Sequence, residues 1–101
     1  ADRIAAALGG NDVLFMANHG VTVVGETVAR AWERLYYLDR ACRAQVIAMS
    51  TGRPLKRIPD ATAAAVADSI NNLTSGASAN IERHFAAQRR LLDRDNADYS
   101  A

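Results

Sequence analysis

Val13-Leu14-Phe15-Met16-Ala17-Asn18-His19-Gly20-Val21-Thr22-Val23-Val24-Gly25 decides the fold. The stretch holds two short apolar runs, 13–17 and 21–24, rich in β-branched and aromatic residues and each of strand length. Asn18-His19-Gly20 lies between them. A three-residue connection with Gly at its end is a hairpin-type turn, so the runs are expected to pair antiparallel. The first run does not alternate apolar and polar residues, which predicts burial on both faces. Two strands cannot achieve that alone; they need more sheet and helices on both sides.

Outward from the hairpin, the chain reads as helical. Upstream, residues 2–8 look like the end of a helix, with Ile4 and Leu8 on one face and Gly9-Gly10 as its stop. Downstream, Thr27 is an N-cap candidate, and Arg30 cannot complete a capping box. Ala31, Leu35, Leu38, Cys42, Val46 and Met49 follow 3- and 4-residue spacings, the stripe of a long helix packed on a core. Glu26/Arg30 and Asp39/Arg43 are i,i+4 pairs in the favourable order. Thr51-Gly52-Arg53-Pro54 ends that helix. Residues 53–60 form a connector with two prolines. Asp60 is expected to cap a helix over 61–72 with Val66, Ile70 and Leu73 on one face, and Thr74-Ser75-Gly76 to break it. A last helix is expected over 78–94, striped by Ile81, Phe85, Gln88 and Leu92. A polar tail over 95–101 either frays or docks through Tyr99.

Composition bounds the function classes. Of 101 residues 50% are hydrophobic, but 21 of these are Ala, and Ile, Leu, Val and Phe total 22. That is just above the roughly 20% below which disorder is the better reading, so the core is thin. Length fits one domain or a piece of one. A net charge of +1 gives no basic field for nucleic acid. No apolar stretch approaches the roughly 18 residues of a membrane span. One cysteine, Cys42, excludes an intramolecular disulfide framework and fits a reducing, cytoplasmic setting. Two His and one Cys cannot build a zinc site of His and Cys without carboxylates, a second chain or further sequence. The chain begins with Ala1, shows no signal peptide, and is simplest to read as starting inside a longer protein.

Only Asn18-His19-Gly20 looks chemical. A His between two buried strands is held on a rigid element, and Gly20 leaves room for the turn and for a ligand. Neutral His is the commonest protein ligand for zinc. Taken alone, though, a His in a turn is more often an ordinary turn residue. His84, beside Phe85, suits a surface or interface role better than metal. Cys42 on the helix stripe reads as core. Tyr36 and Tyr37 point in different directions, so one is expected in the core and the other is a candidate for a subunit interface. Arg83, Arg89, Arg90 and Arg94 make a basic face that suits solvent or an oligomer contact better than a phosphate.

The neighbouring residues sharpen this. Phe15 to Gly25, then Thr27-Val28-Ala29-Arg30-Ala31 and Leu35-Tyr36-Tyr37-Leu38-Asp39-Arg40-Ala41, resemble the C-terminal half of the class II aldolase/adducin family. The resemblance extends through Gly52-Arg53-Pro54-Leu55 to Leu91-Leu92-Asp93-Arg94 and Asp98-Tyr99. It is most specific over 13–42 and weak over 60–80. It implies a three-layer α/β/α parent fold, of which residues 1–101 would be the C-terminal portion of a single domain: a β-hairpin plus about four helices. It also implies a zinc-dependent lyase, of aldolase or decarboxylase type, acting on a small hydroxy-carbonyl or sugar-phosphate-like substrate. In such enzymes zinc acts as a Lewis acid. The role of third zinc ligand falls on His19, with Asn18 and Gly20 shaping its turn. The other two ligands come from an upstream His-x-His, which with the acid/base carboxylate lies outside this chain, so no catalytic residue is assigned here and the 101 residues alone are expected to be inactive.

Two other readings stand beside the enzyme. Adducin-type members keep the fold as assembly domains, which the closing stretch favours slightly and the Asn-His-Gly favours less. Alternatively, the chain is an inactive truncated fragment. In every reading the exposed sheet edges and apolar helix face predict a homo-oligomer or an intimate contact with the missing half; the resemblance implies that the active site lies near a subunit interface.

Overall fold

The computed structural model describes residues 2–71, 76–95 and 98. In chain order these form α1 (Asp2–Leu8), β1 (Val13–Met16), β2 (Gly20–Val23), α2 (Val28–Ser50), α3 (Asp60–Asn71) and α4 (Gly76–Arg94). The expected mixture of one antiparallel hairpin and four helices is present. The hairpin register pairs Val13 with Val23, Leu14 with Thr22, Phe15 with Val21 and Met16 with Gly20.

Local chemistry sets the boundaries. Gly9 takes φ +55° and donates to the Ala5 carbonyl, which closes α1. Thr27 caps α2 as expected: its backbone is extended and its hydroxyl accepts from the Arg30 N–H at 3.1 Å. At the other end Gly52, at φ +68°, donates to the Met49 carbonyl, and the Thr51 hydroxyl donates to that of Ala48 at 2.9 Å. Asp39 and Arg43 form their ion pair at 2.9 Å.

Three expectations need correction. Asp60 is the first residue of α3 and not its cap, because the Ala63 N–H already donates to the Pro59 carbonyl. The last helix, α4, opens at Gly76 and not at 78. Leu73, Thr74, Ser75 and Tyr99 lie outside the described residues. The third correction concerns burial. Phe15 in β1 is 64% exposed, and Leu35, Cys42, Val46 and Met49 on the α2 stripe are all exposed. The described sheet has two strands only, and the ring contacts that α4 makes with α2 fall at Trp32, Tyr36 and Tyr37, before Cys42, Val46 and Met49.

Among the described residues the core is small: its buried hydrophobic residues are Ala29 of α2 and Ile81 of α4. Trp32 stacks near Tyr36 (ring centroids 5.0 Å) and meets His84 and Phe85 of α4 at 4.9 and 5.8 Å. The chain exposes 8385 Å². A compact monomer of this mass would expose about 5,600 Å². The radius of gyration is 16.6 Å, against about 13 Å for a compact domain of this length. The fold is thus more open than a compact domain of this length.

Candidate functional site

The hairpin tip is where the sequence placed its one chemical constellation. Met16 pairs with Gly20, so the connection is Ala17-Asn18-His19, one residue earlier than expected, and Gly20 opens β2. Asn18 adopts φ +59° and Gly20 φ +118°. Asn is among the few residues that enter the left-handed region readily, and φ +118° belongs to Gly. The His19 N–H donates to the Met16 carbonyl at 3.1 Å, which closes the turn. Each of the three residues thus has a separate job: Asn18 and Gly20 bend the chain, and His19 stands between them. Its side chain is exposed and makes no hydrogen bond or ion pair among the described residues.

The opposite end of the hairpin is anchored to α2. The Val24 N–H donates to the Asp12 carbonyl at 2.9 Å. Arg34 of α2 donates from Nη1 to the Val24 carbonyl at 2.6 Å and pairs through Nη2 with the Asp12 carboxylate at 2.7 Å. The His19 imidazole is therefore carried on a short, braced arm.

Tyr36 and Tyr37 sit elsewhere. Tyr36 is half-buried in the α2–α4 contact, 4.8 Å from the His84 ring, and the Arg40 guanidinium lies 3.5 Å above its face. Tyr37 is exposed, edge-on to Tyr36 at 5.3 Å. No hydrogen bond or ring contact joins either to His19 among the described residues. Sequence reasoning missed a pair in the same cluster: His84 Nδ1–H donates to the Glu33 carboxylate at 2.6 Å. Fifty-one positions separate them, and no local pattern links them. The Arg34 brace was missed for the same reason.

Among the described residues no three His, Cys, Asp or Glu side chains gather where they could hold a metal ion. The donor at hand is one free, exposed imidazole on a rigid turn. It fits a metal as a single ligand and needs further ligands from outside this chain.

Residues 1–46 match the family described as the class II aldolase and adducin N-terminal domain. Over 98 residues the chain is 33% identical to the "Putative aldolase class 2 protein" of Pseudomonas aeruginosa, covering 96% of this chain and 38% of that relative. A protein of the same designation in Caulobacter vibrioides is 46% identical over 52 residues, 52% of this chain and 20% of its own. The decarboxylase NovR of Streptomyces niveus is 38% identical over 52 residues, 52% of this chain and 19% of NovR. No solved structure matches. The match over residues 1–46 and these relatives support membership of the class II aldolase/adducin family. It spans well under half the length of the relatives it matches.

Proposed function

We propose that residues 1–101 are the C-terminal portion of a single class II aldolase-like domain, and that the protein containing them is a zinc-dependent lyase. Its reaction is of aldolase or decarboxylase type on a small, anionic hydroxy-carbonyl compound. One observation carries this reading: the Asn18-His19-Gly20 tip, whose backbone is bent by Asn18 and Gly20 and whose imidazole is left free. The family match and the likeness to NovR support a lyase. His19 supplies one neutral nitrogen donor, and the remaining ligands and the acid/base group come from sequence outside these residues. With His19 as one of its ligands, a bound zinc would supply Lewis acidity toward a substrate oxygen. The part of this chain is to hold the donor still, which the turn and the brace at Arg34 do.

The expanded surface supports a second element of the proposal. The hairpin edges and the open face of α2 are covered by the rest of the domain or by another copy, as a homo-oligomer with its site near a subunit boundary. We place the protein in the cytoplasm; no described helix is long and apolar enough to cross a membrane.

His19→Ala, made in the protein as expressed from its own gene, tests the reading. Bound zinc should fall to background and lyase activity with it. Unchanged zinc content would sink the proposal and leave the assembly-domain reading, to which the adducin branch of the family gives its weight.

A further inference from the structure

Arg34 lies on the second turn of α2 and holds two acceptors at once. Its guanidinium reaches the Val24 carbonyl just past β2 and the Asp12 carboxylate just before β1. One planar group therefore grips both strands at the open end of the hairpin. The Arg34 side chain is only 21% exposed, so these charged bonds are partly shielded from water. A rigid fork is the group that fixes two acceptors in set directions; a lysine ammonium is a point charge on a flexible stem.

A second feature fixes the same joint independently. A Cβ on Gly25 would stand 2.7 Å from the Ala31 backbone nitrogen and 3.2 Å from its Cα. Only glycine lets the end of β2 come this close to the first turn of α2. Strand end and helix start are thus pressed together at Gly25 and pinned at Arg34, with Thr27 capping the helix between them.

Resting on the metal-ligand reading of His19, the geometry points to Arg34 as a positioning residue for that ligand. The bridge from Asp12 through Arg34 to Val24, seated on the Gly25 contact, sets the angle at which the hairpin leaves α2. That angle sets where the imidazole stands. Four strand residues beyond the joint span about 14 Å, so a tilt of about 5° moves the tip by about 1 Å. Metal–ligand distances tolerate about 0.2 Å. Arg34 touches neither metal nor substrate; it acts through the hairpin.

The test uses the protein as expressed from its own gene and reads zinc affinity by chelator competition beside the thermal melt. Arg34→Gln should weaken zinc binding by about 10–100-fold while the protein still melts cooperatively. Arg34→Lys should recover part of that loss. Gly25→Ala and Asp12→Asn disturb the same joint by other means, so either should weaken zinc binding with Arg34 intact. They also stand in if Arg34→Gln fails to fold. His19→Ala in the same series separates the two claims. If His19→Ala loses zinc and the joint variants bind as the wild type does, Arg34 has no positioning role and the ligand assignment stands. If the joint variants lose zinc only in step with loss of the folded fraction, the role is merely structural and the inference is overturned. If His19→Ala keeps its zinc, the ligand assignment falls and the positioning role falls with it.

Discussion

The two halves of α2 carry the same 3- and 4-residue apolar spacing and meet different surroundings. The first half is tied to its neighbours at several points: Gly25 and Thr27 at its start, Arg34 to the hairpin, Trp32 against His84 and Phe85, and Tyr36 against His84. The second half presents Cys42, Val46 and Met49 to open space, with Val46 66% and Met49 61% exposed. Periodicity thus states which face of a helix wants to be covered, and is silent on what covers it. The contrast marks which half of α2 the described residues cover and which they leave open.

The largest effect that sharpens the contrast is at Trp32. Trp32→Ala removes the ring that joins α2 to α4 and should cost about 3 kcal/mol, since truncating a large aromatic in a contact costs about 3–5 kcal/mol and this ring is half-buried. Urea unfolding followed by circular dichroism measures it. A loss below about 1 kcal/mol would mean that α4 is not held there. Thr27→Ala should cost about 1 kcal/mol by leaving the Arg30 N–H without its acceptor. The smallest effect belongs to the open half. In the isolated 101 residues Val46→Ser should change stability by less than about 0.5 kcal/mol, as at other uncovered positions. Alkylation of Cys42 completes the comparison. The thiol should react readily in the 101-residue chain and be shielded in the longer protein; equal reactivity in both would erase the difference between the halves.

Much of this was legible in the sequence, and the reason is locality. Gly9, Thr27 and Gly52 act within one turn of their own positions, so their residue types announced the helix ends. Asn18, His19 and Gly20 are consecutive, so the turn and its candidate ligand were readable together. Asp60 misled by one position because Pro59 could serve as the cap as well. The Glu33–His84 and Asp12–Arg34 contacts join segments that only tertiary packing brings together, and no spacing rule reaches them. The burial expected for Phe15 and Cys42 failed for a different reason. Apolar patterning marks a face that favours burial and does not say whether a neighbouring element covers it, and the described residues leave Phe15 and Cys42 uncovered.

The positive backbone angles at Asn18 and Gly20 carry a consequence for reading relatives of this protein. Gly20 is demanded, and Asn18 favoured, by the shape of the turn whether or not anything binds there. A descendant that had given up its chemistry and kept its architecture would still be held to Gly at the third position and to Asn, Asp or Gly at the first, while the middle letter drifted. Of the three, only His19 is informative about trade as opposed to build, and a survey that scores the tripeptide as a unit counts scaffolding as testimony.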